Sequence, residues 1–144
     1  MPNGDQYEMQ PFYMDLWYWI LGFAVFAFLS TLVRELQKDM ADVKGDEADG
    51  CRTIPIVWGM KWARIITLLH IGIIIALLLF LRSQSLRDPL SYWYIGIGII
   101  GPLLLSAGFT YQAHRRSEFI RAGNLMKVAM VAAICYALLI RFIP

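Results

Sequence analysis

The sequence predicts an all-α protein, a polytopic membrane helix bundle of four transmembrane helices with an aspartate-rich motif loop on the cytoplasmic side. Hydrophobic residues make up 58% of the 144 positions and only 17% are charged, which is less charge than a soluble domain of this length usually carries. The apolar residues are grouped into four long runs, and most charges lie in two segments between them. We therefore expect residues 1–144 to form a single membrane domain.

The first predicted span covers residues 13–33, after a polar tail of about twelve residues. About 20 apolar residues at a rise of 1.5 Å per residue cross a hydrocarbon core of about 30 Å. The span opens with Trp17, Tyr18 and Trp19, and such aromatic clusters are typical of a membrane interface. No Lys or Arg precedes the span, whereas a secretory signal needs a positively charged start. We therefore expect a retained transmembrane helix here.

Three further spans are predicted at residues 62–81, 90–111 and 124–140. Short polar connections at residues 82–89 and 112–123 separate them. The span at 90–111 contains no charged residue, but its glycines and its proline would permit close helix packing or a kink inside a bundle.

The basic residues are distributed unevenly between the two sides of this topology. Ten of the 13 Lys and Arg residues lie on one side, in or next to the two longest charged segments. The positive-inside rule places that side in the cytoplasm, so both termini are predicted on the opposite side. The net charge of +2 is too small to indicate a nucleic-acid partner. The ten residues are Arg34, Lys38, Lys44, Arg52, Lys61, Arg64, Arg115, Arg116, Arg121 and Lys127.

The longest charged stretch, residues 34–61, is called the acidic segment below. Asp39, Asp42 and Asp46 have the spacing i, i+3 and i+7, which places them on one face of a helix. Carboxylate oxygens at this density suit Mg²⁺, which keeps several waters and bridges to substrate phosphates. Four basic side chains nearby are suited to the phosphate oxygens, namely Arg34, Lys38, Lys44 and Arg52. The segment thus fits a ligand with a diphosphate head and a lipid tail.

The acidic segment is also compatible with a simpler interpretation, and its pattern argues against several others. Its charges could form a solvated connection with salt bridges between neighbouring turns. The EF-hand pattern does not occur in any register. In the pattern of the CDP-alcohol phosphotransferases, Asp46 and Asp49 would supply the opening, but Thr53 and Ile54 stand where Ala and Arg are required. The two cysteines lie in unlike contexts, which disfavours a disulfide or a zinc site.

The order of residues in the acidic segment resembles a known motif. The run R-E-x2-K-D-x2-D-x3-D from Arg34 to Asp46, followed by G-x-R-T-x-P and Gly59, is similar to the second aspartate-rich motif of the UbiA superfamily of intramembrane prenyltransferases. The resemblance covers the whole chain, since one span, the motif and three further spans follow the family order. The motif wording is closer to the geranylgeranylglycerol-phosphate geranylgeranyltransferase type than to the quinone branches.

The resemblance implies a nine-helix family fold, of which this chain would form helices six to nine. It implies Mg²⁺-assisted departure of diphosphate from a prenyl diphosphate, followed by attack of a lipid-soluble or glycerol-phosphate acceptor. Asp42 and Asp46 would be the catalytic metal ligands, with Asp39 as a third. Lys38 and Arg52 would meet the diphosphate, with Arg34 and Lys44 as further candidates.

The first motif of the family, of the N-x3-D-x3-D type, does not occur in this sequence. The opposing carboxylates must therefore come from an N-terminal half, which another chain could supply. Two alternatives to an enzyme part of this kind stay open at this point. One is a non-catalytic membrane protein derived from this half, binding lipid diphosphate or a partner chain. The other is a different Mg²⁺-dependent lipid head-group transferase.

Overall fold

The computed structural model describes residues 5–85 and 89–140, and within them it contains helices and turns but no strand. Four helical stretches are long and apolar enough to cross a membrane, by length and composition: Leu16–Ala48, Met60–Leu81, Pro89–Gln112 and Arg116–Leu138. The predicted all-α bundle of four spans is confirmed. Its elements are α1 (Asp5–Ala48), α2 (Ile54–Val57), α3 (Met60–Ser85), α4 (Pro89–Trp93), a π-helical segment (Tyr94–Ile100), α5 (Gly101–Gln112) and α6 (Arg116–Ile140).

Helix α1 is much longer than its apolar run, because it continues through the first half of the acidic segment. Between residues 29 and 44 there is no Gly or Pro to interrupt it. It ends at Ala48, and Gly50 in the turn that follows has a left-handed φ of 71°. Cys51 N donates to Asp46 O at 2.8 Å and Gly50 N to Glu47 O at 3.2 Å, which is the hydrogen-bond pattern of a Schellman ending. The acidic residues therefore lie on a helix and not in a loop.

The ends of the other spans also differ from the sequence-based bounds. Helix α6 begins at Arg116, so most of the connection expected at 112–123 is helical. The connection expected at 82–89 includes residues 86–88, which lie outside the described residues, as do residues 1–4 of the expected tail.

The third span is helical throughout but not uniformly α. The π-helical segment ends where Gly101 N donates to Gly96 O, five residues earlier. Pro102 follows at the start of α5, and proline has no N–H to continue an α-helical ladder. A single wide turn next to such a break is a known way for a helix to accommodate it. The kink expected from the glycines and the proline thus takes the form of a π-helical turn.

The main core lies between the spans and is apolar. Small residues on α6, including Ala129 and Ala133, allow close approach of the neighbouring helices. Tyr94 stacks on Tyr136 with ring centroids 5.4 Å apart, and its hydroxyl donates to Ala132 O at 3.0 Å. The buried members of this core are Val33, Ile71, Ile74, Ile95, Ile99, Leu103, Met126, Ala129, Ala133 and Tyr136.

A second, smaller apolar cluster closes the charged end of the bundle. It contains Met40 of α1, Ala63 of α3, Ala113 and Phe119. Arg64 of α3 donates to the carbonyl of Ala113 and lies over the Phe119 ring, 5.7 Å from its centroid. A guanidinium that both donates a hydrogen bond and covers an aromatic face ties three helices together. The acidic half of α1 and the start of α6 consequently meet at the same end of the bundle.

Between the two apolar clusters lies a polar layer centred on Gln37. Its side chain is fully buried, and Nε2 donates to Ser106 Oγ and to Thr110 Oγ1, both at 2.9 Å. Ser106 Oγ donates in turn to Ala122 O at 2.9 Å, and Thr110 Oγ1 donates to Ser106 O at 2.8 Å. The network joins α1, α5 and α6, and it fixes the rotation of α1 about its own axis.

The variant Gln37→Leu keeps the approximate volume of the side chain but removes both hydrogen bonds. We expect its free energy of unfolding to fall by about 1–2 kcal/mol, since interhelical hydrogen bonds in membrane proteins contribute roughly 0.5–1 kcal/mol each. Thermal unfolding in detergent micelles measures the change. Glu47→Leu, at an exposed position of the same helix, is the control and should melt like the parent. A Gln37→Leu variant as stable as the control would show that the network does not hold α1.

Candidate functional site

The acidic face of α1, defined by Asp39, Asp42 and Asp46, lies beyond the apolar part of the helix. All three residues are half-buried, whereas Asp49 in the turn after the helix is exposed. Helical spacing places the acidic face on the side of α1 opposite to the buried Gln37 and Met40. The predicted common face is therefore present, and it points away from the bundle core.

The carboxylates of this face influence one another. Burial raises the pKa of Asp39 above its ordinary value, and the nearby Asp46 and Glu35 raise it further, while Lys38 acts in the opposite direction. Like charges on neighbouring turns disfavour the ionised form. A cation placed against this face would relieve the repulsion, which gives a physical reason for the acidic face to attract one.

Asp42 already has a cationic partner. Its Oδ1 lies 2.6 Å from Nη2 of Arg116, at the start of α6. The sequence predicts Arg116 in a connection and indicates no role for it at the site. Any cation that takes Asp42 as a ligand must therefore compete with this ion pair.

The carboxylates of the acidic face meet the requirements of the expected Mg²⁺ in their chemistry but not in their arrangement. Carboxylate oxygens are the ligands that Mg²⁺ prefers, so the chemistry of the acidic face fits. Within residues 5–85 and 89–140, however, no three His, Cys, Asp or Glu side chains converge on one point. Helical rise explains this, because Asp39 and Asp46 are separated by about 10 Å along the axis, against a Mg–oxygen distance of about 2 Å. The acidic face therefore fits an ion whose coordination is completed by water or phosphate oxygens.

A groove with a volume of about 230 Å³ runs between α1 and α6, beside the acidic face. It is called the basic groove below. Three cationic side chains line it, and among the described residues only Asp42 contributes a carboxylate to the lining. Phe119 and Ile120 supply its apolar part. Its lining residues are Arg34, Lys38, Ala41, Asp42, Phe119, Ile120, Gly123, Asn124 and Lys127.

The four basic residues that the sequence assigns to phosphate are not brought together. Arg34 and Lys38 line the basic groove, and Glu35 pairs with both, at 2.8 Å from Arg34 and 3.9 Å from Lys38. Lys44 and Arg52 are exposed and lie outside the groove. The structure thus divides the predicted set into two pairs.

The wall that α6 contributes to the groove is not predicted by the sequence. Asn124 and Lys127 line it, and Lys127 Nζ donates to Asn124 Oδ1 at 3.3 Å. A signal was present, because residues 116, 120, 123, 124 and 127 share one helical face by their spacing. The sequence alone places Lys127 among the basic residues on one side of the membrane. No spacing in the sequence connects Lys127 to α1.

An exposed apolar face leads along α1 to the acidic face. Trp17, Leu21 and Phe28 are each at least 60% exposed within the chain. Their spacing of 4 and 7 residues continues through Leu32 to Asp39, so one side of α1 changes from apolar to acidic along its length.

Comparisons with known proteins identify the relationship. Residues 7–139 of the chain match the family described as "UbiA prenyltransferase family". No solved structure matches the chain.

Among curated proteins, the chain is 30% identical over 113 residues to a digeranylgeranylglyceryl phosphate synthase of Thermococcus onnurineus, covering 77% of this chain and 39% of the relative. A protein of the same name from Methanosphaera stadtmanae is 32% identical over 122 residues, covering 79% and 41%. One from Methanothermobacter thermautotrophicus is 34% identical over 121 residues, covering 77% and 38%. The chain spans about two fifths of the length of these relatives.

The ion pair between Asp42 and Arg116 generates a prediction about stability. Its side chains are 37% and 68% exposed, and exposed pairs contribute about 0–1 kcal/mol. A double-mutant cycle with Asp42→Asn and Arg116→Gln, followed by chemical or thermal unfolding in micelles, should give a coupling energy below about 1 kcal/mol that decreases as salt is added. A larger, salt-insensitive coupling would mean that the pair is a structural clamp.

Proposed function

Because the chain belongs to the UbiA prenyltransferase family, we propose that the acidic face of α1 forms one half of a site for Mg²⁺-dependent prenyl transfer from a prenyl diphosphate to a lipid acceptor. The observation that carries the proposal is the set of three half-buried aspartates on one helical face beyond the apolar run of α1. The other half of the site comes from the remainder of the family fold, on the same polypeptide or on a second chain.

In this proposal Asp39, Asp42 and Asp46 hold Mg²⁺. When bound, the metal neutralises charge that develops on the departing diphosphate. The three aspartates would hold the ion through their carboxylate oxygens. Arg116 pairs with Asp42 and orients its carboxylate.

Basic side chains beside the acidic face serve the diphosphate oxygens. Lys38 stands between the acidic face and the basic groove, and its flexible ammonium group reaches phosphate as a point charge. Arg34 lies one turn earlier on the same helix. Lys44 and Arg52 are exposed, and they keep their proposed role in binding diphosphate only if the rest of the fold approaches them.

The exposed apolar face of α1 provides a place for the prenyl tail. A hydrocarbon chain against Phe28 and Leu32 would lead its diphosphate to Asp39. Exclusion of water from this surface would protect an allylic cation from hydrolysis. It would also strengthen the electrostatic interactions around the cation.

The acceptor is proposed to carry a glyceryl phosphate, because the name of the relatives states such a product. We also infer that the charged end of the bundle faces the cytoplasm, with both termini on the other side. The meeting of two basic segments at that end and the positive-inside rule support this orientation.

Replacing the acidic face tests the proposal. In lipid nanodiscs, Asp42→Asn and Asp46→Asn should each weaken Mg²⁺-dependent binding of a prenyl diphosphate at least about tenfold, since the loss of metal-site groups typically costs 10- to 100-fold in affinity. Titration with and without Mg²⁺ measures the effect. Asp49→Asn, a change of the same kind in the exposed turn after α1, should bind like the parent.

Activity is measured after co-expression with a segment that carries the missing N-x3-D-x3-D motif. Transfer of a labelled prenyl group should depend on Mg²⁺ and fall by at least about tenfold in both aspartate variants. Unchanged transfer in both variants would refute the catalytic assignment. Binding that survives without transfer would favour the non-catalytic alternative.

A further inference from the structure

We propose that the basic groove binds the phosphate group of the acceptor lipid, with Lys127 and Asn124 of α6 as binding residues. The inference rests on the proposed function and deepens it by giving the acceptor a site next to that of the diphosphate, with Arg34 and Lys38 within reach of both. None of the residues that the family motif supplies lies on α6, so this wall of the groove is a distinct feature of the bundle.

The charge in and beside the groove suits a phosphate monoester. Arg34, Lys38 and Lys127 line it, and Glu35 offsets one of these charges through its contacts with Arg34 and Lys38. Asp42 and Arg116 neutralise each other at 2.6 Å. Two positive charges remain, and a phosphate monoester carries a charge of about −1.5 to −2 at pH 7.

Donors are available from both walls of the groove. Lys127 Nζ contacts Asn124 Oδ1 at 3.3 Å, and within the described residues it has no carboxylate within salt-bridge distance. Its ammonium group can therefore turn to an anion without losing an ion pair. The Asn124 amide and the Arg34 guanidinium add directional donors on opposite sides.

Two of the residues that line the groove are small. Ala41 and Gly123 leave space between the two helices, and a side chain built at Gly123 would begin 3.8 Å from Gln37 Oε1. Among the described residues, no donor reaches this buried oxygen. Gln37 itself does not line the groove.

The groove and the acidic face lie on adjacent sides of α1. Arg34 and Lys38 occupy the side that faces α6, while Asp39 and Asp46 do not line the groove. A metal-dependent site for a diphosphate and a metal-independent site for a monoester can thus stand side by side, with Lys38 and Asp42 at the boundary. This arrangement would hold donor and acceptor head groups next to each other, as transfer requires.

The test compares two ligands in phosphatidylcholine nanodiscs, on the full chain co-expressed and co-purified with the segment that carries the N-x3-D-x3-D motif. The first is a glycerol phosphate lipid with one ether-linked tail and a free phosphate monoester, and the second is a prenyl diphosphate with Mg²⁺. Lys127→Gln should weaken binding of the monoester lipid roughly tenfold, as expected for the loss of one charge-assisted hydrogen bond, without changing the affinity for the diphosphate. Lys127→Arg should retain most of the affinity.

Two controls define the site further. Arg121→Gln removes the same charge from an exposed position of α6 outside the groove and should bind both ligands like the parent. A lipid whose phosphate is esterified to a second group, a diester of lower charge, should bind the parent more weakly than the monoester. Equal binding of both lipids would mean that the groove takes membrane phospholipid and would overturn the acceptor assignment.

The remaining outcomes separate this inference from the proposed function. If Lys127→Gln weakens only the diphosphate, the groove belongs to the donor and the inference is wrong. If the parent binds diphosphate but no monoester lipid, the inference is wrong and the proposed function stands. If it binds the monoester through Lys127 but no diphosphate, the groove assignment stands and the proposed function fails. If neither ligand binds, both fail.

Discussion

The hydrogen bonds of Gln37 are the constraint on which the rest of the site depends. In a membrane bundle, apolar packing alone leaves a helix free to rotate at small cost, because lipid and protein side chains are about equally apolar. The buried amide removes that freedom, since both of its N–H groups are held by hydroxyls of α5. Once this rotation is fixed, the positions of Asp39 and of Lys38 on the surface of α1 follow from helical geometry.

The fixed rotation separates two kinds of charge on one helix. Within a span of six residues, Arg34 and Lys38 turn toward α6 while Asp39 turns away from the core. Arg64 adds the second anchor, by holding the carbonyl of Ala113 and the ring of Phe119. The start of α6 is thereby placed against α1. The positions of the groove and of the acidic face thus depend on the Gln37 hydrogen bonds and on the contacts of Arg64.

The spans and the acidic face were predictable because each depends on periodicity within one segment. Apolar runs of sufficient length predict membrane spans directly. The spacing of Asp39, Asp42 and Asp46 predicts that they share one face of a helix. The groove was not predictable in this way, since Lys127 and Arg34 become neighbours only through antiparallel packing of α1 on α6. The loss of the expected loop has a local cause, because helix propensity through Lys44 outweighed a single glycine at position 45.

Under the proposed function, the geometry of the acidic face would make it only one part of a metal site. Its aspartates are stacked along a helix, so they present oxygens to one side and at intervals of roughly 4–6 Å along the axis. An octahedral Mg²⁺ needs ligands on all sides, and a single helical face cannot provide them. If Mg²⁺ binds here, as we propose, phosphate, water and carboxylates from elsewhere in the family fold would complete its coordination. The exposed apolar side of α1, with Trp17 and Phe28 uncovered, lies on the face from which those groups would have to come.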